Sequence, residues 1–200
     1  MKILAIDTTS ELGSIAIADD ERAIEEVVLE SGDGFAHVLF GEIENLLARN
    51  NLRLADIDGF ASASGPGTFT GVRVGLTAVK GLAEAMSRQV VAVSNLRAMA
   101  YFGALDLRAP WMDARRGEIY GAVYNASLDL VCDEVVMKHD AWLASLPAGV
   151  EILSEPRPLA AAIGRIAARE FAAGRALDPA AIDANYVRRS DAEMLWKDVL

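Results

Sequence analysis

Asp7, Thr8, Thr9 and Ser10 set a carboxylate and three hydroxyls in a row, directly after the apolar run Ile3-Leu4-Ala5-Ile6. In nucleotide-binding proteins a strand that ends this way can hold a phosphate or its metal ion. The same residues also serve as plain turn formers, the aspartate accepting from nearby backbone N–H groups. A second stretch, Ser64-Gly65-Pro66-Gly67-Thr68-Phe69-Thr70-Gly71-Val72-Arg73-Val74-Gly75, follows the apolar run Gly59-Phe60-Ala61-Ser62-Ala63. A strand, a glycine-rich turn, a threonine and then a helix bare backbone N–H groups at the helix start, where anions are attracted. The stretch is not a Walker A loop, because no Gly-Lys-Ser/Thr closes it, and it lacks the Gly-x-Gly-x-x-Gly of a dinucleotide fingerprint. Gly71, Gly75 and Ala78 fall at i, i+4 and i+7, a smooth stripe that suits close packing as well as it suits a ligand.

A second acid turn, Asp113-Ala114-Arg115-Arg116-Gly117-Glu118, carries arginines where a phosphate cradle needs small or hydroxyl residues, and it reads as a hairpin with its own salt bridge. Metal chemistry finds little support. The two histidines, His37 and His139, lie far apart, and neither His-x-x-x-His nor Cys-x-x-Cys occurs. No Gly-x-Ser-x-Gly marks a nucleophile.

The elements that must position these residues follow from periodicity. Strands are predicted at Lys2–Asp7, Gly13–Ala18 and Ala23–Leu29, giving a three-strand meander. A helix over His37–Arg49 sets Leu39, Ile43, Leu46 and Leu47 on one face. The strand at 59–63, a helix from Val72 to Ser87, a strand at Val90–Val93 and a Ser94-capped helix over Leu96–Ala104 complete a mixed sheet covered by helices. A second start then appears. An apolar strand ending in Asp113 hairpins into the alternating strand Glu118–Tyr124, followed by a strand at Leu130–Met137, much as the chain began, and this predicts a structural repeat. A short helix near Ala141–Leu146, a strand at Val150–Leu153, an alanine-rich helix over Leu159–Ala172 and a polar surface tail over Ala184–Leu200 complete the reading.

The chain has 200 residues, of which 52% are hydrophobic, enough for a substantial core in one unit or two small lobes. No apolar run reaches the roughly 18–20 residues of a membrane span, and Ile3–Ile6 is too short for a signal-peptide core, so the start reads as a mature first strand in a cytoplasmic protein. Cys132 is the single cysteine and suits a reducing compartment. A net charge of −10 makes the chain a poor candidate for gripping nucleic acid alone.

In the expected order, Ile3-Leu4-Ala5-Ile6-Asp7-Thr8-Thr9, His37, the Gly65–Gly75 block, Lys80-Gly81-Leu82-Ala83, Val93-Ser94-Asn95-Leu96, Asp113-Ala114-Arg115-Arg116-Gly117-Glu118-Ile119-Tyr120 and Tyr186-Val187-Arg188 resemble the TsaB (YeaZ) family, the bacterial partner of the TsaD threonylcarbamoyltransferase subunit. The match is dense over residues 1–125 and thin from about 130 to 180. The resemblance implies an α/β fold of the actin, sugar-kinase and Hsp70 type with two lobes, residues 1–105 and a reduced second lobe over 106–200. It implies a non-catalytic subunit that binds and activates a TsaD-type catalytic subunit. The reaction forms N6-threonylcarbamoyladenosine in tRNAs reading codons that start with A. A TsaE-type ATPase joins the assembly, tRNA is met only through the complex, and the chain self-associates into a homodimer when alone. No cofactor is required, with Asp7, Thr8 and Thr9 left as a residual nucleotide turn and ATP or ADP as an occupant of a partner interface.

Carried onto this sequence, the docking surface is built from the helices at 37–49 and 72–86. Val38, Arg73, Leu76, Lys80 and Glu84 are the expected exposed contacts, and Gly71 and Gly75 are expected to let a partner helix approach. On that placement Gly75→Leu blocks docking and leaves the fold intact. The competing readings are an active small-molecule kinase, which needs a phosphate turn in both lobes, and a metallopeptidase, which needs metal ligands.

Overall fold

A computed structural model describes residues 1–30, 32 and 34–187. The predicted tail beyond Val187, with Arg188 of the Tyr186-Val187-Arg188 match, lies outside the described residues. The chain opens with strands β1 (Lys2–Asp7), β2 (Ser14–Asp19) and β3 (Arg22–Val28), then helix α1 (Leu39–Arg49) and strand β4 (Gly59–Ala63). Helix α2 (Phe69–Met86), strand β5 (Val90–Val93) and helix α3 (Asn95–Ala100) follow. The first sheet runs β3-β2-β1-β4-β5, with β1–β3 antiparallel and β4 and β5 parallel to β1.

β1 is buried on both faces because its alternating side chains feed two cores. Leu4 and Ile6 pack with Leu39, Ile43, Leu46, Val72 and Val79 of α1 and α2. Ile3 and Ala5 face the opposite layer, with Leu96, Ile163 and Ile166. The helix starts differ from the periodicity reading. α1 begins at Leu39, after His37, and α2 begins at Phe69, three residues early, because Thr68 is its N-cap and its Oγ1 accepts from Gly71 N. α3 stops at Ala100, short of Ala104, and it is capped as expected by Ser94, whose Oγ accepts from Leu96 N.

The second sheet contains β6 (Leu107–Arg115), β7 (Glu118–Asn125), β8 (Leu130–Lys138) and β9 (Glu151–Leu153) in the order β8-β7-β6-β9. An antiparallel meander followed by a parallel fourth strand repeats the β3-β2-β1-β4 arrangement of the first sheet, so the repeat seen in the sequence is a repeat of topology. The β6–β7 turn holds Arg115, Arg116 and Gly117 at positive φ. Asp113 fastens it, accepting from Arg115 N at 2.8 Å and pairing with its guanidinium at 3.8 Å, as the hairpin reading expected. Helix α4 (His139–Ser145) buries Trp142 against Gly121, where a Cβ would sit 2.5 Å from the indole nitrogen.

The division at residue 105 does not follow the packing. Helix α5 (Ala160–Ala172) crosses back and lies on the first sheet, with Gly164 admitting Ala18 and Ala5 and Gly59 facing Phe171. Its alanine-rich face has the physical role of letting helix and sheet approach closely. The first-lobe strands also cap it, since Ala160 N donates to Ser14 Oγ at 3.1 Å and Ala161 N to the Glu26 carboxylate at 2.9 Å. Two polar knots tie distant segments of the chain together. Glu170 of α5 pairs with Arg97 at 2.7 Å and Arg175 at 2.5 Å, and these hydrogen bonds, Arg175 first, hold its carboxyl below the usual range. Glu134 of β8 accepts from Ser94 Oγ, from Tyr124 OH and from Asn185 Nδ2.

Candidate docking face and the closed acid turn

Asp7 ends β1 with no exposure to solvent, and Thr8 and Thr9 are almost as deeply buried. One Asp7 oxygen, Oδ1, accepts from Thr9 N at 2.9 Å and from Thr9 Oγ1 at 2.6 Å. Thr9 Oγ1 accepts from Asn95 Nδ2 at 2.6 Å, and Asn95 Oδ1 accepts from Gly65 N at 3.0 Å. Thr8 Oγ1 donates to Gly71 O at 2.7 Å, and Thr68 N donates to Thr9 O at 2.8 Å. The acid turn, the glycine-rich stretch and the start of α3 are thus bolted to one another.

The glycines explain how this closes. A Cβ on Gly67 would lie 2.6 Å from Thr9 Cβ, one on Gly71 2.0 Å from Thr8 O, and one on Gly75 2.8 Å from Thr8 Oγ1 and 3.0 Å from Ser62 Oγ. Of the two readings the sequence offered for each segment, the structure shows the plain turn and the close packing. The Thr8 hydroxyl donates to Gly71 O and the Thr9 hydroxyl to Asp7, and the two segments approach too closely to admit a phosphate between them. These residues do not fit a nucleotide held in that turn. Gly71 and Gly75 face the chain's own hairpin and are not open to a partner. Leu76, expected on the surface, is buried in the α1–α2 core. Val38 is half-buried at the N-cap of α1, off the helix face.

The second Asp7 oxygen, Oδ2, is buried without a partner. Burial pushes this carboxyl above its ordinary range, against the opposing hydrogen bonds from Thr9 and Asn95. A folded-state pKa above the unfolded value means stability that is complete below the unfolded carboxyl pKa of about 3.9 and is lost as pH rises through the folded value. Asp7→Asn removes that loss, since an unpaired buried amide costs less than a buried charge. In urea unfolding followed from pH 4.5 to 8.5, the stability advantage of D7N over wild type is expected to grow with pH and then level. A difference independent of pH overturns the assignment.

The outer face of α1 and α2 is open. Arg73 and Glu84 are exposed and Lys80 is half-buried, as a solvated face requires. A groove of about 290 Å³ opens between α1, the turn that follows it and α2, lined by Phe40, Ile43 and Leu47 of α1, Leu82 of α2, and Leu52 and Leu54 of the following turn, with Glu44 and Arg53 as its charged members. Phe40 is half-exposed at 51%. The glycines whose added Cβ would meet nothing within 4 Å include Gly41 on α1 and Gly81 on α2. These two, unlike Gly71 and Gly75, leave their backbone open at the surface. A glycine within an exposed helix costs about 1 kcal/mol relative to alanine, which was the available sequence signal at both positions.

Among the described residues no group of three or more His, Cys, Asp or Glu side chains is gathered for a metal, and no helix is long and apolar enough to cross a membrane.

The profile of the family described as TsaD, tRNA N6-adenosine threonylcarbamoyltransferase, matches residues 32–170. The chain is 34% identical over 152 residues to the tRNA threonylcarbamoyladenosine biosynthesis protein TsaB of Bacillus subtilis, covering 73% of this chain and 66% of that one. It is 36% identical over 129 residues to the TsaB protein of Escherichia coli, covering 62% and 55%. It therefore spans between about half and two thirds of the length of these curated relatives. Among solved structures, YeaZ from Pseudomonas aeruginosa superimposes with a TM-score of 0.79 at 25% identity, over 92% of this chain and 99% of that one. A Pseudomonas aeruginosa protein described as similar to peptidase YeaZ gives a TM-score of 0.80 at 24% identity, over 94% and 99%.

Proposed function

The chain belongs to the TsaD family, in its TsaB (YeaZ) group, and from that membership we propose that it is a non-catalytic subunit that binds and activates a TsaD-type transferase. The product of that assembly is N6-threonylcarbamoyladenosine in tRNAs reading codons that start with A. The single observation that carries this reading is the contrast between the two faces of the first lobe. The turn that would hold a phosphate is sealed against the chain's own glycines, whereas α1 and α2 present an apolar groove, a half-exposed Phe40 and bare backbone at Gly41 and Gly81. Such a surface suits helix-on-helix association, in which small residues permit close approach and an aromatic side chain fills the centre.

On this reading the chain needs no cofactor of its own and works in the cytoplasm. It meets tRNA through the assembled complex, in keeping with its net charge of −10. A TsaE-type ATPase completes the assembly, and the same face pairs two copies of the chain when no transferase is present.

The test is reconstitution. TsaC-type, TsaD-type and TsaE-type proteins are combined with tRNA, threonine, bicarbonate and ATP, with and without this chain, and the modified nucleoside is quantified. Product that depends on the chain, with no ATP turnover by the chain alone, is the expected result. Equal product without the chain overturns the proposal, and ATP hydrolysis by the purified chain favours the kinase reading.

A further inference from the structure

Arg73 is, like Arg22 and Arg88, an exposed arginine with no ion pair among the described residues, and unlike those two its side chain is held by neighbouring groups. Arg49, Arg53, Arg115, Arg157, Arg169 and Arg175 each pair with a carboxylate. Arg73 has no carboxylate within ion-pair distance among the described residues, in a chain with 29 acidic residues against 19 basic ones. It is nonetheless held in place. Its guanidinium carbon lies 3.8 Å from the centroid of the Phe69 ring, and its Nε donates to Tyr186 OH at 3.2 Å. The Phe69 and Tyr186 rings stack at 6.1 Å with 27° between their planes.

The segment bearing Tyr186 is itself tied down. Asn185 N donates to Ser64 O at 2.7 Å and Asn185 Nδ2 donates to Glu134 at 2.6 Å. Phe69 and Tyr186 are both about half exposed. A solvated arginine would shed much rotamer freedom on binding, but this one has already shed it.

We propose that Arg73, clamped between Phe69 and Tyr186, is a pre-set anchor for a carboxylate on the docking transferase subunit. The inference rests on the docking role proposed above and names the chemistry of the partner at one end of that face. With Nε committed to Tyr186, the two terminal nitrogens carry no hydrogen bond among the described residues, and a planar pair of donors matches the two oxygens of a carboxylate. Arg73 lies nine residues before Leu82 on α2, about 13 Å along the helix and on the other side of it from the groove lining, and it shares its exposed face with Thr70, Thr77 and Glu84. A protein carboxylate is favoured over an RNA phosphate because Thr70 and Thr77, exposed on the same face of α2, are neutral, and the chain as a whole is acidic.

Affinity for the TsaD-type subunit is measured by calorimetry at low and high salt for wild type, Arg73→Gln, Arg73→Lys and Tyr186→Phe, with a thermal melt of each. R73Q is expected to bind about 30-fold more weakly with an unchanged melt, and to lose most of the salt dependence that wild type shows. R73K, which keeps the charge without the planar fork, is expected to recover only part of the affinity. Y186F is expected to bind several-fold more weakly, because Arg73 is no longer held. Wild-type affinity in R73Q, or full recovery in R73K, overturns the anchor and leaves the docking role standing. Unchanged assembly of R73Q with weaker retention of tRNA by the complex also overturns it, in favour of a phosphate contact. A wild-type chain that does not bind the subunit at all overturns the docking role itself.

Discussion

Gly75→Leu is expected to destroy or severely weaken the fold. The first added atom would sit 2.8 Å from Thr8 Oγ1 and 3.0 Å from Ser62 Oγ, and the rest of the leucine has only the underside of β1 and β4 to enter. Both hydroxyls are engaged, Thr8 with Gly71 O and Ser62 with Ala63 O, and both residues are buried. Overpacking of this kind costs about 1–3 kcal/mol, and each buried polar group stripped of its partner adds about 1–3 kcal/mol. Against a total stability of about 5–15 kcal/mol, a loss near 4–6 kcal/mol lowers the melting temperature by about 10–20 °C in a domain of this size. Thermal denaturation followed by circular dichroism checks this directly. A G75L protein that melts as wild type does and fails only in binding would restore the partner-facing placement inferred from the stripe of small residues. Gly71→Ala probes the same contact at a harder point, since its methyl group would lie 2.0 Å from the Thr8 carbonyl oxygen.

The same substitution ten angstroms or so further along α2 has the opposite signature. Gly81→Leu is expected to leave the fold intact and to raise the melting temperature by a few degrees. Its Cβ meets nothing, and leucine is preferred over glycine in an exposed helix by about 1 kcal/mol. Association with the TsaD-type subunit is expected to fall by at least about 30-fold, because the side chain would stand between backbones that must come close, beside the groove at Leu82. Threonylcarbamoyladenosine formation in the reconstituted reaction should fall with it. Gly41→Leu on α1 is expected to behave alike. If both variants assemble and support modification as wild type does, the groove is not where the transferase docks.

Together these variants separate two uses of glycine that look the same in sequence. Gly75 and Gly81 both lie in α2, and only Gly75 was read from the sequence as a contact point. What differs is the direction each faces. Position 75 points at Thr8 and Ser62 and position 81 points outward, because 3.6 residues per turn set six positions about 120° apart around the helix. The periodicity of the stripe was legible, but which side faced the sheet depended on where α2 begins. The Thr68 cap moves that start to Phe69, and the first turn then packs on Thr8.

The strands were legible because their signals are local. Ile3–Ile6, Gly59–Ala63 and Val90–Val93 are short apolar runs bounded by turn residues, and a buried central strand has no other composition. The repeat was legible for the same reason, since an apolar strand ending in Asp followed by an alternating strand occurs twice. The return of α5 to the first sheet was not. Its alanines advertise close packing without saying against what, and its caps come from Ser14 and Glu26, more than 130 residues earlier in the chain.

The sequence by itself determined the order and type of the elements, the doubled sheet topology and the family. Those follow from burial patterns, turn residues and motif order, all of which are written along the chain. Only the tertiary structure decided the fate of the chemical residues. Asp7, Thr8 and Thr9 have the right types for a phosphate turn, yet they are sealed, because whether a hydroxyl meets a ligand or a glycine depends on a separation of an angstrom or two between segments sixty residues apart. Arg73 and Tyr186, more than a hundred residues apart, become one clamp for the same reason. Distance in space is set by packing, and no local pattern encodes it.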